Sequence, residues 1–121
     1  MRRFLFLLFT DDSCRRNHAF AYAVDLKKRG HEVRIIIEGI STRSFKELAD
    51  KESRFTRLFE EAKSLDLIYG ACKTAATGCG GDKAGGVMDA VKAEGVALLD
   101  DLDGHAGISS LIEEGYQVLV F

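Results

Sequence analysis

From Phe4 to Phe9 the chain is apolar without a break, with none of the polar alternation that a strand shows when one side meets water. A run of this kind reads as a strand buried on both faces, the state of a strand in a parallel sheet covered by helices. The residues after it keep that pattern. Asp12 or Ser13 can cap a helix whose apolar positions Ala19, Tyr22, Ala23 and Leu26 repeat at helical spacing, and Gly30 stands at its end behind Lys27, Lys28 and Arg29. Val33 to Ile37 reads as a second strand. Ser41 to Ser53 admits one long helix, with Ser44 and Glu47 as a capping box, or a short turn followed by a helix from Ser53. Phe55, Leu58, Phe59 and Ala62 then form a helical stripe. Leu67 to Ala71, Val96 to Leu99 and Val118 to Phe121 read as three more strands. A one-turn helix over Lys73 to Thr77, a helix through Ala84, Val87, Met88 and Val91, and a short one through Ile108, Leu111 and Ile112 lie between them. Strands alternating with helices imply right-handed crossovers. The expected fold is one α/β domain over residues 1–121, a three-layer α/β/α sandwich with a mainly parallel sheet of about five strands.

In such a sheet the carboxyl ends of all strands lie along one edge, and ligands collect there near the point where strand order reverses. This places Asp11, Asp12, Glu38, Cys72, Lys73 and the segment Asp100 to His105 on that edge, with His18 on the first turn of the first helix either facing the crevice or exposed to water. Cys72 is the chemically informative residue. It stands where a buried strand passes into a helical turn, beside Lys73, and both features favour its thiolate, lowering the pKa from about 8.5. Gly70, Ala71 and Gly78 leave room for a ligand, an added sulfur or another backbone. Cys79 is either a second, resolving thiol or structural. The Cys72–Cys79 spacing is neither a redox dithiol nor a zinc knuckle, so no metal and no cofactor is expected. Cys14 reads as a small packing residue, and the Asp-rich loop before His105 reads more readily as a turn and helix cap than as a cation site.

Charge and composition exclude other classes. The net charge is -2 and the pI about 5.9, so no basic field is present to hold nucleic acid. Arg2 and Arg3 before an apolar run resemble a leader, but Asp11 and Asp12 cut the run short of the roughly 7–15 residues a leader core needs. A cytoplasmic protein with free thiols and no membrane contact is expected. A phosphate-accepting receiver domain needs an aspartate where Gly70-Ala71-Cys72 stands, and no Gly-x-Gly-x-x-Gly follows a strand as a dinucleotide fold requires.

Phe9-Thr-Asp-Asp after the first strand, His18-Ala-Phe-Ala-Tyr-Ala, Gly30-His-Glu-Val33, and Ile68-Tyr-Gly-Ala-Cys72 running to Gly78 together resemble the DsrE/DsrF-like family of small sulfur-relay proteins over nearly the whole chain. The resemblance implies an α/β domain carrying sulfane sulfur as a persulfide on the strand-end cysteine, here Cys72, as a carrier or sulfurtransferase subunit. It implies a homo-oligomer, a trimer or hexamer, exchanging sulfur with donor and acceptor proteins. Cys79 departs from the family pattern. The large apolar residues Ile40, Phe45, Phe55 and Phe59 strengthen the expectation of self-association, since a small sheet has limited room to cover them all. The alternative is a noncatalytic oligomeric module that binds a small ligand or partner at the strand-end crevice.

Overall fold

The computed structural model describes residues 1–78 and 86–121. Cys79 and Ala84, on which two of the sequence expectations fall, lie outside them. Five strands form one sheet: β1 (Arg3–Leu8), β2 (Glu32–Ile37), β3 (Ile68–Cys72), β4 (Leu98–Leu99) and β5 (Gln117–Val120). They lie in the order β4-β3-β2-β1-β5 and every neighbouring pair is parallel. The helices are α1 (Ser13–Lys28), α2 (Arg54–Ser64), α3 (Lys73–Thr77), α4 (Val87–Ala93) and α5 (Ser109–Glu113), with a 3₁₀ stretch over Gly39–Ala49. The three-layer α/β/α architecture is as expected, and the mainly parallel sheet is parallel throughout.

The unbroken apolar run explains itself in β1. Phe4, Phe6 and Leu8 face a large core with Phe20, Ile35, Ile37, Phe55 and Phe59. Leu5 and Leu7 face a smaller one with Ile36, Cys72, Leu111 and Tyr116. Phe9, beyond the strand, is exposed. In α1 the cap is Asp12, whose Oδ2 accepts from the Arg15 N–H at 2.8 Å. Its buried stripe runs through Arg16, Ala19, Phe20, Ala23 and Val24. Tyr22 is therefore on the outside, 53% exposed, where its hydroxyl meets water while the wholly apolar Phe20 takes the core position.

Phe45, Phe55 and Phe59 are buried, at 2%, 1% and 0% exposure, and Ile40 is half-buried. The first helical layer closes over them, with Phe20 and Phe55 edge to face at 5.2 Å and Phe45 and Phe59 at 5.6 Å. These phenylalanines supply no exposed face for self-association. The large apolar side chains that do reach water are Met1, Phe9, Tyr22, Leu102, Ile112, Leu119 and Val120.

The helix begins after Ser53, which caps α2 by accepting from the Phe55 N–H at 3.2 Å. The preceding residues form the 3₁₀ stretch instead of a simple turn, and Ser44 and Glu47 are not a capping box. Both hold Arg16, a buried guanidinium lying 3.9 Å from the centre of the Phe55 ring. Glu47 accepts from Arg16 at 3.1 and 3.3 Å and from the Ser53 hydroxyl, and Ser44 Oγ lies 3.4 Å from Arg16 Nη1. Burial pulls the Glu47 carboxyl up, but the bonds from Ser53 and Arg16 outweigh it and leave it below the ordinary range. Glu47→Gln is expected to cost about 2 kcal/mol at pH 7, toward the low end for a buried ion because the Glu47 side chain is 39% exposed and water can substitute. A depressed carboxyl contributes fully above its unfolded pKa of about 4.3 and loses that contribution as pH falls through the folded value. Urea midpoints of the two proteins should therefore converge below about pH 4; a gap unchanged by pH would contradict the ion pair.

β4 is shorter than the sequence suggests, since Val96 bonds back to the Val91 carbonyl to end α4. It is drawn tight against β3: a Cβ on Gly70 would lie 2.5 Å from Leu99 Cγ and 2.9 Å from the Ala97 carbonyl. The space left by Gly70 is thus filled by the Leu99 side chain and the Ala97 carbonyl and is not room for a ligand, whereas among the described residues nothing beyond its chain neighbours lies within 4 Å of such a Cβ on Gly78.

Candidate functional site

Strand order reverses at β1, where the chain, having stepped outward from β1 to β4, returns with β5 on the far side. Cys72 sits two strands away, at the end of β3. There it is the N-cap of α3, with backbone φ -65° and ψ 122°, and its Sγ accepts from the Ala75 N–H at 3.5 Å. His105 Nδ1 lies 3.7 Å from the same sulfur.

His105 is delivered by a two-residue hairpin. Leu102 and His105 exchange both backbone hydrogen bonds at 2.9 Å, and between them Asp103 and Gly104 take φ of 50° and 88°. An Asp-Gly pair adopts this left-handed turn readily. α3 holds the hairpin: the Thr74 hydroxyl and amide both donate to the Gly104 carbonyl, at 2.6 and 3.1 Å, and Lys73 Nζ pairs with Asp100 at 3.6 Å.

The site is closed and its thiol is not activated at rest. Cys72 is 0% exposed. Burial pushes its pKa up, the hydrogen bond its thiol donates to the Glu38 carboxylate adds to that, and the Ala75 and Ala106 N–H groups oppose them. This reverses the expectation of a lowered pKa. α3 is only five residues long, and the Lys73 charge is paired with Asp100. What the arrangement offers instead is a proton acceptor, since an imidazole beside a thiol can take its proton at the moment of attack.

Of the other residues singled out by sequence, Lys73 clasps the hairpin and Asp12 caps α1, while Asp11 is exposed. His18 and Cys14 are both exposed and pair with each other, Sγ to Nδ1 3.6 Å, with His18 Nδ1 also 2.8 Å from the Cys14 carbonyl. Cys14 is therefore not a packing residue: the first turn of α1 presents it to water. Sequence reading underrated His105. The dipeptide Asp103-Gly104 was the available signal, because a two-residue hairpin turn sets the residues on either side of it opposite each other. Among the described residues no three His, Cys, Asp or Glu side chains converge as a metal-holding group, and no helix is long and apolar enough to cross a membrane.

No family model matches the chain, and no solved structure matches it. It is similar to the uncharacterized protein MJ0733 of Methanocaldococcus jannaschii, 26% identical over 102 residues that make up 84% of this chain and 76% of the relative.

Proposed function

We propose that this chain is a cytoplasmic sulfur-relay protein that carries sulfane sulfur as a persulfide on Cys72, in keeping with the resemblance to DsrE/DsrF-like proteins. The observation that carries the reading is the approach of His105 Nδ1 to the Cys72 sulfur, 3.7 Å apart at the end of a core strand. In the reaction, Cys72 gives its proton to His105 and the thiolate attacks the outer sulfur of a donor persulfide. A new S–S bond forms on Cys72, the donor's S–S bond breaks, and the donor leaves as a thiolate that recovers the proton from the imidazolium. One thiol and one persulfide go in, and one persulfide and one thiol come out, with no external oxidant. Incubation with a sulfane-sulfur donor followed by intact-mass measurement tests this: the wild type should gain one sulfur.

The ligand-binding module is the second reading, favoured by the complete burial and raised pKa of Cys72. A wild type that gains no sulfur would favour it.

Self-association into a trimer or hexamer is proposed for either reading, now resting on exposed Ile112, Leu119 and Val120 in place of the buried phenylalanines. Light scattering at micromolar concentration should give a multiple of the 13.3 kDa chain mass; a monomer would overturn it.

A further inference from the structure

We propose that residues 100–107 form a gate over Cys72 and that Thr74 is its latch, an inference that rests on Cys72 being the working thiol. A sulfur atom with 0% exposure cannot meet a second sulfur, so something must move before exchange. β2 and β3 lie beneath the sulfur as interior strands of the sheet, paired on both sides.

The segment over the sulfur is of a different kind. It carries His105 against Sγ and the Ala106 N–H toward it, and it is closed mainly on itself. Leu102 and His105 bond each other twice, the Gly104 N–H donates to the Asp100 carbonyl at 3.1 Å, and the Gly107 N–H donates to the Asp101 carboxylate at 2.9 Å. Such a loop can swing without losing its own hydrogen bonds, giving up only the burial of the small Ala106 side chain in the lesser core. Among the described residues its polar ties to the body all reach α3 or its capping residue: the two bonds from Thr74 to the Gly104 carbonyl, the exposed Lys73–Asp100 pair, and the His105 and Ala106 contacts with the Cys72 sulfur. An exposed ion pair contributes little, which leaves Thr74 as the main polar restraint. The fit there is close, since a Cβ on Gly104 would lie 2.8 Å from the Thr74 hydroxyl oxygen.

Opening uncovers the sulfur to a donor or acceptor with His105, carried by the same segment, at the rim of the opened site to take the proton, whereas the closed state shields the thiol. One residue in the first turn of the helix that Cys72 caps thus governs access to Cys72.

The test is the rate at which iodoacetamide alkylates Cys72 in the folded protein, followed by peptide mass alongside exposed Cys14. Thr74→Val keeps the shape and the backbone bond but removes the hydroxyl donor, and a bond of this kind corresponds to roughly fivefold in the opening equilibrium. Cys72 alkylation should rise by about that factor with Cys14 unchanged, and Thr74→Ser should stay near wild type. Equal rates in wild type and Thr74→Val would overturn the gate, as would a wild-type Cys72 that reacts as fast as Cys14. Hydrogen exchange on the unmodified protein gives a second reading that needs no variant. The Thr74 amide, bonded to Gly104, should exchange faster than the Ala71 amide, bonded to Ala97; equal protection of the two would also overturn the proposal. The readouts are access and opening, not sulfur loading, so a failed gate and a failed persulfide reading are told apart.

Discussion

Phe59→Ala is expected to destabilise the protein by about 3–5 kcal/mol, the range for removing a large aromatic side chain from a core that cannot collapse around the gap. Phe59 has no exposed surface and lies within 6.0 Å, centroid to centroid, of three other rings, those of Phe20, Phe45 and Phe55. Those rings come from α1, the 3₁₀ stretch and α2 itself, so the cavity would be walled by three separate elements and no single shift could fill it. Alanine is the better helix former, but the gain of about half a kcal/mol is small beside the cavity. Against a typical total of about 5–15 kcal/mol, the loss is about a fifth of the margin or more. It should appear as a large drop in the urea midpoint with little change in slope. Arg57→Ala, at an exposed position on the same helix, should move the midpoint by less than about 0.5 kcal/mol equivalent. A Phe59→Ala effect as small as that would mean the phenylalanine cluster is not the centre of the fold.

That cluster also shows where sequence reading held and where it failed. Periodicity identified Phe55, Phe59 and Ala62 as one face of a helix, and all are buried in α2. Pattern alone could not say how much surface the neighbouring layers would cover, so the same phenylalanines looked too numerous to hide. The 3₁₀ stretch supplies the missing cover, and its own sequence is ambiguous because Ser44 and Glu47 suit a helix cap as well as a tertiary clamp on Arg16. The parallel sheet was legible from β1, whose unbroken apolar run admits few other environments. The start of β4 was not, because Val96 serves the close of α4 before the strand can begin.

At the site, position was legible and environment was not. The passage from β3 into α3 falls where the glycine and the small residues put it, so Cys72 could be placed at a strand end from sequence. Its burial and the proximity of Glu38 and His105 are products of tertiary packing: His105 is 33 positions away and arrives only because an Asp-Gly turn folds its hairpin over α3. The direction of the thiol's pKa followed from burial and Glu38 and not from Lys73, its neighbour in sequence.

A thiol with a raised pKa still reacts through its thiolate, so the sulfur uptake proposed for Cys72 should quicken as pH rises from 7 to 9, through the range in which an ordinary thiol near 8.5 ionises and toward the higher value that burial imposes. The effect of removing the sulfur is larger than any pH effect. Cys72→Ser has no atom able to hold a sulfane sulfur as a stable persulfide, and uptake at this position should vanish outright. The exposed Cys14, paired with His18, is the internal control: its thiol is more accessible than Cys72 but lies outside the clasp formed by α3 and the hairpin.

Whether sulfur resides on Cys72 is decided by cyanide-labile sulfur on the donor-treated, desalted protein, in wild type, Cys14→Ser and Cys72→Ser side by side. Labile sulfur is expected in wild type and in Cys14→Ser, and none in Cys72→Ser. Labile sulfur retained by Cys72→Ser, or absent from wild type under conditions that load a known persulfide carrier, would contradict the assignment.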